Sequence, residues 1–261
     1  MQGCLARELR LASSRTRQVF LELFSGSGRI AAHIRKSGHA ALEIDVRHGQ
    51  HMDLLDRSVQ KLVLGWVASG VVWGCWLGTP CTTWSVAHTT PVVRSKSFPW
   101  GVPGLASRHA LAVNLGNATA RFSFEVIKLC IRLRIPVCLE NPASSRLWAC
   151  PALTPLLSQA ADVKTSAFCQ YGERWRKLTR VAGWNTGTLD GLGKTCTGRR
   201  GLCSRTGLPH IQLNGRTQGI SWTKIAEPYP APWAAAAAHC LVHAAESLAM
   251  SRLLRLAAVT S

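Results

Sequence analysis

Two short segments carry residue types that could do covalent chemistry. The run Leu77-Gly78-Thr79-Pro80-Cys81-Thr82-Thr83-Trp84-Ser85 puts a thiol in a tight turn shaped by Gly78 and Pro80. A thiol there is placed for nucleophilic attack if its surroundings favour the thiolate. Taken by itself, Cys81 reads more readily as an ordinary loop cysteine with no role. The run Val137-Cys138-Leu139-Glu140-Asn141-Pro142 ends an apolar stretch on a carboxyl group. A free carboxylate is costly in such a place. Glu140 is therefore either tuned toward its neutral form, bonded to a ligand, or used to cap a loop.

A third segment, Leu21-Glu22-Leu23-Phe24-Ser25-Gly26-Ser27-Gly28, follows a strand-like run and opens a helix. Glycines in this position let the backbone pass close to a ligand. Acids downstream could hold a nucleoside: Glu43 and Asp45 at the ribose hydroxyls, Asp53 at an adenine amino group. The turn lacks the third glycine of the dinucleotide fingerprint. With the ordered acids it predicts a nucleoside cofactor bound by Phe24, Ser25, Gly26 and Gly28.

Cys169, Cys196, Cys203 and His210 lie in or beside a Gly- and Arg-rich stretch, 183–219. The stretch has few apolar residues with which to fold alone. Three Cys and one His could hold a structural Zn²⁺ and supply that stability. Their spacing is not a paired C-x-x-C pattern, so four unrelated residues of a basic loop are the alternative.

Taken together, these segments resemble the DNA (cytosine-5) methyltransferases over roughly 19–177. Phe24-x-Gly26-x-Gly28 is similar to their cofactor motif. Pro80-Cys81 with Ser85 resembles their Pro-Cys-Gln-x-Phe-Ser motif, and Glu140-Asn141 their Glu-Asn-Val motif. Tyr171-Gly172 with Arg174, Arg176 and Lys177 is a looser match to their Tyr-Gly-x-Pro-Gln-x-Arg-x-Arg segment. Glu227-Pro228-Tyr229-Pro230 is a faint echo of their closing Asn-Ala-Val-Pro-Pro. The chain departs at Thr82 for Gln, Trp84 for Phe, Pro142 for Val and Trp175 for Gln.

The resemblance implies S-adenosyl-L-methionine as cofactor and a target cytosine flipped out of the duplex. It implies that Cys81 attacks ring carbon 6 and that Glu140 bonds to ring nitrogen 3. Lys177 or Arg176 would hold the base oxygen or a phosphate. Ser85, Arg174 and Arg176, with Arg199, Arg200, Arg205 and Arg216 of the 183–219 stretch, would contact nucleic acid. The alternatives are a catalytically silent nucleic-acid-binding module on the same fold and an RNA cytosine methyltransferase. A cysteine hydrolase pairing Cys81 with His88 or His109 leaves the glycine turn without a purpose. The Asp/Asn-Pro-Pro-aromatic turn of amino-group methyltransferases is absent.

The elements that must position these residues alternate. Strands are predicted at 19–23, 40–44, 71–77, 136–139 and 165–168, and helices at 30–37, 54–66, 117–133 and 233–258. Between 80 and 103 no periodicity is visible. Strand–helix alternation predicts an α/β, Rossmann-like methyltransferase fold, mostly parallel and covered on both faces, with a small irregular lobe. The expected organisation is a frayed basic segment at 1–18, a catalytic core at 19–182, a target-recognition lobe at 183–219, and a helix returning to the core within 220–261.

Composition fits a nucleic-acid partner. Thirty-one Lys and Arg face 13 Asp and Glu, a formal +18, spread along the chain rather than in one tail. No apolar run approaches the roughly 18 residues of a membrane span. No signal peptide is evident, so a reducing intracellular compartment is expected, nucleus or cytoplasm before organelle. Cys75, Cys130 and Cys138 then read as small buried hydrophobes.

Overall fold

The computed structural model describes residues 2–13, 18–86 and 91–260. In chain order these form α1 (Gln2–Ser13), β1 (Val19–Leu23), α2 (Arg29–Lys36), β2 (Ala41–Ile44), α3 (Arg57–Ala68), β3 (Val72–Leu77), α4 (Ser107–Leu133) and β4 (Val137–Pro142). There follow α5 (Thr154–Leu157), β5 (Asp162–Ala167), β6 (Leu178–Trp184), β7 (Arg216–Thr217), β8 (Ile220–Ser221), α6 (Trp222–Ile225) and α7 (Ala231–Thr260).

Six strands make one mixed sheet in the order β2-β1-β3-β4-β6-β5. β2, β1, β3 and β4 run parallel, and β6 runs antiparallel to both β4 and β5. The fold class is therefore α/β with a mostly parallel sheet. β7 and β8 form a separate hairpin.

Successive strand side chains leave opposite faces, and here both faces are apolar. Leu21, Leu23, Cys75, Leu77, Val137 and Leu139 point into a core shared with Val63 of α3 and Phe122 and Ile127 of α4. Phe20, Trp76, Cys138 and Val181 point the other way, against Ile30 and Ile34 of α2 and Trp233, Ala237 and Leu241 of α7. The alanines of α7 explain its seat: short side chains let it lie close against α2 and the sheet. Cys75, Cys130 and Cys138 are buried, as expected of small apolar residues.

Helix α2 begins without a side-chain cap on Gly28. Glu22, in the neighbouring strand β1, supplies the missing acceptor: its Oε2 takes a hydrogen bond from Ala31 N at 2.7 Å. A carboxyl group there also meets the positive end of the helix dipole.

Four features differ from the sequence expectation. Within the basic start, residues 2–13 are helical rather than frayed: α1 packs Leu5 and Leu9 into the core. α4 begins ten residues earlier than its apolar period suggests, at Ser107. Its first turns are half exposed, so burial leaves no stripe to read there. β6 has no counterpart in the expected strands. It begins on exposed Leu178 and carries Arg180 and Gly183, which hide a strand otherwise buried. β5 starts three residues early, on the polar pair Asp162 and Lys164.

Candidate functional site

The chain runs from β1 to β2 on one side of the sheet, then crosses back to place β3 on the other side of β1. In open α/β sheets, ligands bind beyond the carboxyl ends of the strands at such a switch point. A cleft of about 240 Å³ lies there. Its lining gathers Phe24, Ser25, Gly26 and Ser27 after β1, Asp45 and Arg47 after β2, Cys81 and Thr82 after β3, and Glu140 on β4. Lys177, just before β6, and Glu227 to Tyr229, just before α7, close it.

The turn after β1 is bent by positive φ at Phe24 (54°), Gly26 (55°) and Gly28 (64°). Such a value is ordinary for glycine but strained for Phe24. Asp45 fixes the turn, since its Oδ2 accepts from Gly26 N at 2.9 Å while its Oδ1 accepts from Arg47 N at 2.9 Å. At Gly28 a Cβ would stand 2.8 Å from Glu43 Oε1.

The Cys81 turn is tied to β4. Asn141 Nδ2 donates to Thr79 O at 2.7 Å, and Thr79 Oγ1 meets Ser123 Oγ of α4 at 2.7 Å. Behind the turn, Trp84 N and Ser85 N donate to Cys81 O at 2.9 and 2.8 Å. Burial pushes the Cys81 thiol above its usual range; Glu140 adds to this, and Lys177 opposes it.

Both oxygens of Glu140 are engaged. Thr179 of β6 donates its hydroxyl to Oε1, and Tyr229 Oη donates to Oε2 at 2.9 Å. Tyr229 is held by Trp76, whose Nε1 donates to Tyr229 Oη at 3.2 Å, and by ring contacts with Trp76 and Trp233. Burial and then Glu140 raise the Tyr229 phenol well above its ordinary range, so it stays a donor. Lys177 Nζ donates to Ala226 O at 2.9 Å and lies 5.2 Å from the Phe168 ring centre. An Arg47–Glu227 ion pair at 2.9 Å lies in the wall of the cleft, and Lys224 meets the same Glu227 oxygen at 2.8 Å.

The structure thus brings Phe24, Ser25, Gly26, Asp45, Cys81, Glu140 and Lys177 together. Gly28, the residue before α2, does not line the cleft, and Glu43 is held in an ion pair by Arg35. Asp53 instead accepts from Leu55 N at 2.9 Å. Ser85 borders a neighbouring hollow with Arg94 and Arg146. Arg174, Arg176, Arg199 and Arg200 are exposed outside the cleft. His109, at the start of α4, does not line the cleft, and His88 lies outside the described residues. Sequence reasoning missed Thr179, Asn141's tie to the thiol turn, the Arg47–Glu227 bridge and the anchoring role of Tyr229. Their partners lie far along the chain, so no local pattern marks them.

Cys169, Cys196, Cys203 and His210 also converge. One ligand atom from each lies within 4.8 Å of all the others. Arg94, unmentioned in the sequence reading, is buried in the irregular segment between β3 and α4. It donates to Thr83 O and Oγ1, Val113 O, Pro99 O and Asn117 Oδ1, and stacks on Trp84 with its guanidinium 3.6 Å from the ring centre.

No protein-family model, curated protein or solved structure matches the chain. Among the described residues, no helix is long and apolar enough to cross a membrane.

Proposed function

We propose that this chain is a methyltransferase of Rossmann-like fold that transfers a methyl group from S-adenosyl-L-methionine to carbon 5 of cytosine in DNA. The observation that carries the proposal is the shared cleft: a cysteine and a glutamate from the ends of β3 and β4 face the left-handed glycine turn after β1. The residues fit such a cofactor in part. Gly26 offers backbone without a side chain, and Asp45 lines the same wall. Glu43, engaged by Arg35, is turned away from that task.

S-adenosyl-L-methionine supplies the methyl group as an electrophile. The chain supplies the rest. Cys81 as thiolate adds to ring carbon 6 of the extruded base, and the electron pair moves toward ring nitrogen 3. Glu140 faces nitrogen 3 and shares a proton with it, its carboxyl oriented by Thr179 and Tyr229. Carbon 5 would take the methyl group, the donor leaving as S-adenosyl-L-homocysteine. A water acting as base would remove the carbon-5 proton, Glu140 would recover its proton from nitrogen 3, and Cys81 would leave as thiolate while the ring double bond reforms. Lys177 places a cation beside the negative charge that builds on the ring.

The cleft is smaller than the roughly 300–1,000 Å³ of ligand sites. Seating a nucleoside cofactor and a base together therefore requires it to widen.

Incubating the full chain with labelled S-adenosyl-L-methionine and unmethylated DNA tests the reading. Label is expected in DNA cytosine, is lost in Cys81→Ala, and accumulates faster as pH rises, because the thiol is held above its ordinary range. Label in RNA alone would keep the chemistry and change the substrate. No label in either, with the folded protein still binding nucleic acid, would refute the enzymatic reading.

A further inference from the structure

We propose that Cys169, Cys196, Cys203 and His210 form a structural zinc site that pins the irregular lobe to the end of β5. The proposal does not depend on the methyl-transfer reading. It rests on four observations.

The first is geometry. The three thiol sulfurs and one histidine nitrogen all lie within 4.8 Å of one another. Tetrahedral zinc with bonds of about 2.3 Å to sulfur sets its ligand atoms roughly 3.8 Å apart, so the cluster closes around the ion with little movement.

The second is the histidine. His210 Nδ1 lies 3.0 Å from Gly201 O, and its Nε2 lies 3.7 Å from Cys196 Sγ. The Gly201 carbonyl accepts a hydrogen bond from Nδ1–H, the tautomer that leaves the Nε2 lone pair directed into the cluster. Zinc-binding histidines are fixed in this way by an outer carbonyl.

The third is the surroundings of the sulfurs. Ser204 N and Oγ approach Cys196 Sγ at 3.4 and 3.5 Å, and Gln170 Nε2 reaches Cys169 Sγ at 3.6 Å and Cys203 Sγ at 3.8 Å. These are donors aimed at sulfur, which a zinc-bound thiolate accepts more strongly than a neutral thiol does.

The fourth is the absence of an alternative. Between residues 193 and 220 only Cys196 and Cys203 are buried. A segment of that length cannot stabilise itself by apolar burial. Metal binding then becomes its folding free energy. Cys169 sits in the turn Phe168–Tyr171 that follows β5, so the ion joins the lobe to the sheet.

The experiment is metal analysis of the full chain purified without added chelator, followed by cobalt exchange. About one zinc per chain is expected. Cobalt should give the visible bands of a tetrahedral ion and sulfur-to-cobalt charge transfer. Cys196→Ser and His210→Ala should weaken cobalt binding at least as much as the roughly 10- to 100-fold seen on losing an outer partner. Cys240→Ser, at a cysteine outside the cluster, should not. If a ligand variant fails to fold, competition with a chromogenic chelator on the wild-type chain gives the same answer. Metal-free protein that takes up no cobalt overturns the proposal, and so does a disulfide among the three cysteines in the folded chain. Octahedral cobalt without charge transfer overturns it equally.

Discussion

Glu22 is fully buried in β1, where burial, opposed by the α2 backbone N–H groups, raises its carboxyl from 4.5 to about 8. The folded chain therefore binds this proton more tightly than the unfolded one. Its contribution to stability is complete below pH 4.5 and is lost as pH rises toward 8. Glu22→Gln keeps an oxygen for Ala31 N but does not titrate. The variant should gain melting temperature relative to wild type as pH rises from about 5 to about 8. Parallel melting profiles would show that Glu22 is charged in the fold. Cys81 and Glu140 were legible as chemistry-bearing residues because each ends an apolar run at a turn. Tyr229 and Thr179 were not legible in their roles, because they reach Glu140 from 89 and 39 positions away. Glu22 was visible only as part of the glycine turn; nothing local says that it caps the next helix.

At the scale of elements, the described residues between β3 and α4 form no helix or strand, as the segment's Pro, Ser and Thr content implies. Arg94 organises it, binding five neutral acceptors rather than a carboxylate. Burial lowers its guanidinium to about 10, so it stays charged at neutral pH. Lysine cannot reproduce this planar fork. Arg94→Lys should cost on the order of 3 kcal/mol, from at least one charged hydrogen bond lost and an acceptor left unpaired. Denaturant midpoints read the loss, and faster proteolysis between 91 and 106 localises it. An unchanged midpoint would mean that the segment is held by other contacts. The parallel strands were legible because both faces of each are apolar. β6 was not, because its exposed start and its Arg180 break the run. The early turns of α4 were lost for the same reason: half-exposed helix has no apolar stripe.

For the molecule as a whole, +18 of formal charge makes association with a polyanion steeply salt-dependent. Each phosphate contact contributes about 0.9 to the slope of log K against log salt on duplex DNA. If the irregular lobe meets the backbone, Arg199→Ala with Arg200→Ala should flatten that slope by about 1–2. Lys61→Ala, on α3, should leave it unchanged. Equal slopes for all three proteins would move the interface off the lobe. Charge was legible from composition alone; which face carries it was not, since that depends on how the lobe folds back. One more consequence comes from the antiparallel strand between β4 and β5. β5 precedes β6 in the sequence, yet its only partner in the sheet is β6, which also covers the free edge of β4. Leu178–Trp184 lies between β4 and β5, so completing the sheet and bringing Thr179 to Glu140 depend on the same strand. The acid in the cleft is thus oriented by the strand of this six-stranded sheet that comes last in the sequence.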